Sequence, residues 1–321
     1  MKTFTDIKRI AVLGAGTMGP GIAITFAESG YLVVMQDISD TALDLAQNVV
    51  QKAVETLHKE GYLDANTAIM VQQNISYTSD LKTAVSSADI IFEAITEKLV
   101  VKESVYQQLN ELCPPDTIIA SNTSYLNIFE IMPAARLPYT VIAHWFAPPH
   151  LVPLVEVVRG EKTDDETMRA VLELLDHAGK VAIRIEKYIP GFIINRIQRI
   201  MNWELYFLID NAVITPEQLD KAVKASLMPR GMVLGIAQRC DFGGLDLTAL
   251  NLENPNYLEP TFDKHPTCLY DLVDAGHYGA KTGKGFYDYS QLEMTEALSK
   301  RDRQLLKAFA MAKEFIKDSI V

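Results

Sequence analysis

The chain has 321 residues, enough for two domains and a sizeable core, and its apolar fraction of 48% with 22% charged residues is that of a globular protein. No apolar run reaches the roughly 18 residues of a membrane span, which argues against a membrane partner. The net charge of -11 excludes a general electrostatic grip on nucleic acid or polyphosphate, so an anionic ligand must be held by local groups.

Residues 1–5 are polar and lead straight into a strand, so no signal peptide is expected. Ile10, Ala11, Val12 and Leu13 form a short apolar run that ends at Gly14-Ala15-Gly16-Thr17-Met18-Gly19, and Ile22, Ala23, Phe26 and Ala27 then recur at helical spacing. This is strand, glycine turn, helix. Gly14 makes the tight turn, Gly16 lets the backbone approach a pyrophosphate, Gly19 lets helix and strand pack closely, and the helix N-terminus offers N–H groups and a positive dipole end. Residues 31–35 predict a second strand, closed by Asp37, an acid placed to accept from a ribose 2′-hydroxyl and to repel a 2′-phosphate. Ile38, Ser39 and Asp40 bring no cation for that phosphate, so NAD is expected over NADP.

Helical spacing follows over 41–60 and 65–72, with strands at 75–78 and 89–95 around a helical turn at 81–85. Strands alternating with helices imply a mostly parallel sheet covered on both faces, with ligands beyond the carboxyl ends of the strands. Three successive strand ends carry polar clusters. Strand 90–95 delivers Glu97 and, one helical turn on, Lys102; strand 117–120 delivers Ser121, Asn122, Thr123 and Ser124; strand 139–143 delivers His144. Each alone reads equally well as a cap or loop polar group. Glu156 lies in the apolar run Leu154, Val155, Val157, Val158, where a carboxylate needs a partner, and a returning strand after Pro148-Pro149 brings His144 beside it. Such a pair fixes one imidazole tautomer and leaves the other ring nitrogen as a base.

A helix over 164–178 and a strand over 181–185 close the alternation, and Tyr188-Ile189-Pro190-Gly191 breaks it. The expected division is an N-terminal Rossmann-type α/β domain, residues 1–189, binding NAD, and an all-helical domain, residues 190–321, for substrate and homodimer formation. Asn195 sits in the first turn of a long helix over 192–213; further helices are expected over 215–227 and 292–321, the last after a glycine-rich turn at 279–289. Cys113, Cys240 and Cys268 match neither a zinc site nor a disulfide framework and suit a reducing, cytoplasmic setting.

Taken together, the glycine turn with Asp37, SNTS at 121–124, HWFAPPHLVPLVEV at 144–157, PGFIINR at 190–196 and KTGKGFYDY at 281–289 resemble the NAD-dependent L-3-hydroxyacyl-CoA dehydrogenase family. The resemblance spans nearly the whole chain. It implies that His144 is the acid/base and Glu156 its orienting partner, that Ser124 and Asn195 hydrogen-bond the reacting oxygen or carbonyl of the substrate, and that Glu97 and Lys102 line the ribose and nicotinamide end of the cofactor. It also implies oxidation of a short-chain 3-hydroxyacyl-CoA to the 3-oxo form in fatty acid metabolism. Two departures stand out. Ala147 occupies a position where the family usually has asparagine, and the helix after the second strand offers Lys52, His58 and Lys59 among Glu55 and Glu60, a poor match to the family's hold on coenzyme A phosphates. Related enzymes of this fold oxidise free 3-hydroxy acids such as gulonate. Both substrate classes therefore stay open, as does a silent NAD-binding protein, since fold alone does not fix activity.

Overall fold

The computed structural model describes residues 2–256, 260 and 262–316. The chain divides into two compact units, one ending at Ile194 and the other beginning at Asn195.

The first unit is built on one eight-stranded sheet: β1 (Arg9–Leu13), β2 (Leu32–Gln36), β3 (Ile75–Thr78), β4 (Ile90–Glu93), β5 (Ile118–Ser121), β6 (Thr140–Trp145), β7 (Leu154–Arg159) and β8 (Val181–Ile185). The spatial order is β3-β2-β1-β4-β5-β6-β7-β8, and every pairing is parallel except β6 with β7. Ile10 to Leu13 are all buried, as are all four residues of β4 and of β5, because helices cover both faces of the sheet. The covering helices are α1 (Gly19–Glu28), α2 (Asp40–Lys59), α3 (Ala65–Asn74), α4 (Leu81–Val85), α5 (Leu99–Leu112) and α6 (Asp165–His177). α2 shows how pattern becomes packing: Leu43, Ala46, Val50, Val54 and Leu57, three or four apart, form its buried stripe, and the Ser39 side chain accepts from Ala42 N at its start.

Several strand boundaries differ from the sequence expectation by a residue or two, and three of the differences have a visible local reason. β2 starts at Leu32 because Tyr31 N still donates to Phe26 O at the end of α1. β4 stops at Glu93, whose own carboxylate takes Ile95 N and turns the chain. β6 runs on through His144 and Trp145 because the antiparallel ladder with β7 extends that far, pairing His144 with Glu156.

The second unit is helical, with α7 (Ile194–Asp210) leading into it, then α8 (Pro216–Ala222), α9 (Met228–Leu234), α10 (Ala237–Gly243), α11 (Leu245–Leu252), α12 (Thr267–Asp274) and α13 (Met294–Ile316). α7 begins after the expected position because Gly191 and Phe192 both take positive φ, 78° and 49°. The helix expected over 215–227 is α8 followed by a π-helical turn, Val223–Leu227, that runs into α9. Pro229 has no N–H to give Ala225 and its ring crowds that carbonyl; the widened turn lies just before it. The last expected helix reaches Ile316, and residues 317–321 of that expectation lie outside the described residues.

Candidate active site

The parallel registers set one level across the sheet: Leu13 lies beside both Gln36 and Glu93, Glu93 beside Ser121, and Ser121 beside Ile142. The glycine turn, the Glu97 segment and the Ser124 loop therefore leave the sheet at its carboxyl edge, where open α/β sheets bind ligands, and His144 lies in the last rungs of the ladder at that same end of β6.

At β1 the glycine turn is held by backbone approach. Gly14 N donates to Gln36 O at 2.8 Å, and a Cβ on Gly14, at φ 97°, would lie 2.5 Å from Ala94 O. A Cβ on Gly19 would lie 2.0 Å from Gly14 O, whereas one on Gly16 would meet no protein atom within 4 Å. These are the two requirements of a phosphate cradle: strand and helix pressed together, and clear space over the middle glycine. Thr17 and Met18 complete the turn, with Met18 at the N-cap of α1, whose first N–H groups have no intrahelical partner. Asp37 sits half-buried beyond β2; its Oδ2 accepts Ala15 N at 2.8 Å and its Oδ1 accepts Ser39 N at 3.0 Å, so one carboxylate ties the end of β2 to the turn. The residues fit an adenosine ribose and a pyrophosphate.

At β4 and β5 lies a network in which the sequence pointed to Glu97, Lys102, Ser121, Thr123 and Ser124 but not to Glu93 or Tyr106. Glu93 is 0% exposed. Its Oε1 accepts Lys102 Nζ at 2.6 Å and Ile95 N at 3.0 Å, and its Oε2 accepts Tyr106 OH at 2.6 Å and Ser121 Oγ at 2.7 Å. Glu97 Oε1 accepts Thr123 Oγ1 at 2.6 Å, Ser124 N at 2.8 Å and Tyr125 N at 3.4 Å, while its Oε2 lies 3.4 Å from Lys102 Nζ. Burial works against ionisation of Glu97, but the Thr123 hydroxyl, the Ser124 amide and the Lys102 ammonium outweigh it and hold the carboxyl below its usual range. Burial first, then the Glu93 charge, pushes the Tyr106 phenol well above its usual value. Glu93 had a legible signal: it is an acid in the apolar run Ile90-Ile91-Phe92, the same clue that marked Glu156.

At β6 and β7 the cross-strand pair is formed. His144 Nδ1 stands 2.8 Å from Glu156 Oε2, with the two side chains 5% and 1% exposed. The other oxygen, Oε1, accepts Ile193 N and Ile194 N, both at 2.9 Å. Phe192, a bulky residue at positive φ, is a strained position of the kind that persists only where its surroundings demand it. The demand here is visible: the Gly191-Phe192 turn aims two successive amides at one carboxylate oxygen, and the Phe192 ring packs 5.2 Å from His144. Phe146 covers another side of the imidazole at 4.6 Å. Sequence reading missed these two amides because nothing in residue type marks a backbone donor. Asn122 joins the neighbouring strands, its Oδ1 accepting Trp145 N at 2.8 Å. Asn195, the first residue of the second unit, follows Ile194 in the first turn of α7.

With this geometry in hand, comparison with known proteins is decisive. The 3-hydroxyacyl-CoA dehydrogenase NAD binding domain matches residues 9–188, and the C-terminal domain of the same enzymes matches residues 191–289. The chain belongs to the 3-hydroxyacyl-CoA dehydrogenase family. It is thus an NAD-dependent oxidoreductase of CH–OH donors with the fold expected from the sequence. Among its relatives, a probable 3-hydroxybutyryl-CoA dehydrogenase of Bacillus subtilis is 35% identical over 289 residues, covering 89% of this chain and 99% of that one. The 5-formyl-3-hydroxy-2-methylpyridine 4-carboxylate 5-dehydrogenase of Mesorhizobium japonicum is 31% identical over 307 residues, 94% of this chain and 96% of that one. A crystal structure of a 5-dehydrogenase for that pyridine carboxylic acid, described as an NAD+ dependent dismutase, superimposes with a TM-score of 0.83 at 29% identity, covering 96% of this chain and 99% of that chain. Family members thus act on substrates as unlike as a CoA thioester and a pyridine carboxylate.

Proposed function

We propose that the protein oxidises the 3-hydroxyl of a 3-hydroxyacyl substrate, a short-chain 3-hydroxyacyl-CoA such as 3-hydroxybutyryl-CoA, to the 3-oxo form. The observation that carries this reading is the buried His144–Glu156 pair at 2.8 Å on adjacent strands at the carboxyl edge of the NAD sheet. With Glu156 as acceptor, Nδ1 carries the hydrogen and the Nε2 lone pair is left to take the proton of the substrate hydroxyl. When bound, NAD supplies the acceptor for the hydride from C3. His144 gains a positive charge as the proton arrives, and Glu156, fixed from behind by two backbone amides, stabilises it. Ser124 and Asn195 hydrogen-bond the reacting oxygen, and the residues from Gly14 to Gly19, Asp37, Glu97 and Ser124 hold the dinucleotide. NADH formation with (S)-3-hydroxybutyryl-CoA is the direct test. Silence with every 3-hydroxyacyl thioester would remove this substrate class.

A second reading, a dehydrogenase of a free 3-hydroxy acid of the gulonate type, is favoured by two observations. Similarity to the pyridine-carboxylate enzyme spans 94% of the chain, beyond the residues matched by the family's own domains. On α2, moreover, Lys52 and Lys59 share the helix with Asp40, Asp44 and Glu55, a weak cradle for coenzyme A phosphates. Turnover of gulonate or 3-hydroxybutyrate without turnover of thioesters selects it. A silent NAD-binding protein would bind NADH and turn over neither.

Residues 190–321 serve, in this reading, as the substrate and dimerisation domain. Among the described residues from Asn195 on, only Pro266 is buried, so the second unit has little core in a single copy. On α11, Leu245, Leu247, Leu250 and Leu252 are 57% to 84% exposed. Apolar surface on that scale calls for a partner, and a second copy is the proposed one. Light scattering on the eluting protein should give twice the chain mass; a monomer would refute it.

A further inference from the structure

We infer that Tyr188 is a positioning residue: its phenol ties the Ser124 loop to the Gly191-Phe192 turn behind Glu156, and so sets the spacing between the Ser124 hydroxyl and the imidazole of His144. The inference rests on the proposed places of Ser124 and His144 in the chemistry.

Three observations carry it. The Tyr188 hydroxyl donates to Tyr125 O at 2.6 Å across 63 residues of sequence, and Tyr125 directly follows Ser124. The Tyr188 ring meets the Phe192 ring edge-on, with centroids 6.3 Å apart, and Phe192 is wholly buried with its ring 5.2 Å from that of His144. The main chain beside Tyr188 is itself closed, because Phe192 N donates to Ile189 O at 3.0 Å just before Ile193 N and Ile194 N reach Glu156. One half-buried side chain thus spans two loops that leave different strands. The Ser124 loop has a second hold, through its amides rather than its carbonyl, where Ser124 N and Tyr125 N donate to Glu97. Glu97 fastens the loop toward β4 and Tyr188 fastens it toward the turn behind Glu156. Two holds from different elements fix a position that either one alone leaves free to swing. Burial first, then the Glu130 and Glu97 charges, holds the phenol above its usual value, so it remains a donor throughout neutral pH.

The test removes the hydroxyl and keeps the ring. Tyr188→Phe should fold, since one neutral hydrogen bond at a half-buried position shifts Tm by only about 2–4 °C. Hydrogen–deuterium exchange at the Ser124 and Tyr125 amides should quicken about fivefold, the factor that one neutral hydrogen bond carries. With (S)-3-hydroxybutyryl-CoA, or with gulonate where thioesters are not turned over, kcat should fall about five- to tenfold. The substrate KM should move less than about threefold, because a bond to the reacting oxygen strengthens as charge develops. The decisive readout is the double-mutant cycle: in a Ser124→Ala background Tyr188→Phe should lower kcat by less than about twofold, since no hydroxyl is left to position. An equal loss in both backgrounds, or an unchanged kcat in the single variant, would overturn the inference and leave Tyr188 a merely structural group. Unaltered exchange at both amides overturns it as well, whether or not either probe is turned over. Failure of the site reading is separate: Ser124→Ala with undiminished kcat would remove Ser124 from the chemistry while the quickened exchange still stood.

Discussion

Replacing Glu156 by glutamine isolates the tautomer argument. Two backbone amides, Ile193 N and Ile194 N, donate to Oε1 at 2.9 Å, so a glutamine here must place its carbonyl oxygen toward them, because its NH2 would face two donors. The NH2 then points at His144 Nδ1 across a distance of about 2.8 Å in the native pair. It can be accepted only by an unprotonated Nδ1, which forces the hydrogen onto Nε2 and removes the base. Shape and volume are nearly unchanged, and the amides keep a neutral acceptor, so stability should fall by only about 1–3 kcal/mol, the difference between charged and neutral hydrogen bonds. Turnover should fall by roughly 10² to 10⁴, the worth of a positioned acid/base and of its orienting carboxylate. At 1.36 kcal/mol per tenfold that is about 3–5 kcal/mol on the barrier. Steady-state kcat, NADH affinity by fluorescence and Tm should be measured together. The expected pattern is lost kcat, unchanged affinity and a small drop in Tm. A variant with kcat within about threefold of wild type would refute the tautomer argument and the role of the pair.

Gly19→Ala puts a Cβ 2.0 Å from the Gly14 carbonyl, where backbone must give way, so NADH titration should show binding weakened by at least about tenfold even if the variant folds. Asp37→Ala removes both the proposed ribose acceptor and the partner of Ala15 N; NAD affinity should fall and the preference over NADP narrow, and an unaltered preference would exclude the ribose contact. Acid stability carries a defined sign. Burial opposes ionisation of both Asp89 and Glu97, but Lys2 with the Lys8 and Arg9 amides for Asp89, and Thr123, Ser124 and Lys102 for Glu97, hold both below their unfolded values. Their contribution is complete above about pH 4.5 and is lost as the pH falls further, so Tm should be flat near neutrality and drop in acid, with Asp89→Asn flattening the drop. Burial pushes the Cys113 thiol up to about 11, so iodoacetamide at neutral pH should leave it unmodified in the folded protein; rapid labelling there would contradict the packing around it.

Much of this molecule is local and therefore legible without coordinates. The glycine turn, the acid closing β2 and the alternation of apolar strands with amphipathic helices obey steric and periodic rules acting within a few residues. β3, α4 and β8 fall where periodicity alone places them, at Ile75–Thr78, Leu81–Val85 and Val181–Ile185. Glu156 announced itself because a carboxylate among β-branched residues must find a partner, and the Pro-Pro turn named the strand that supplies one. Glu93 and Tyr106 were not found: Glu93 carried the same signal as Glu156, an acid in an apolar run, and Tyr106 alone is unremarkable in its helix, while Ser121 was read only as one member of a polar strand end; that the three meet is a fact of the sheet edge.

What sequence by itself determined was the fold of the dinucleotide half and the pairing of His144 with Glu156. Only the tertiary structure decided how those side chains are held. His144 is a strand residue because β7 extends the ladder, Glu156 is fixed by amides from a strained turn 37 and 38 positions away, and Lys102 is buried between two carboxylates. The physical reason is the same in each case: a hydrogen bond between distant segments depends on where the backbone has been carried by packing, and residue type along the chain carries no record of that.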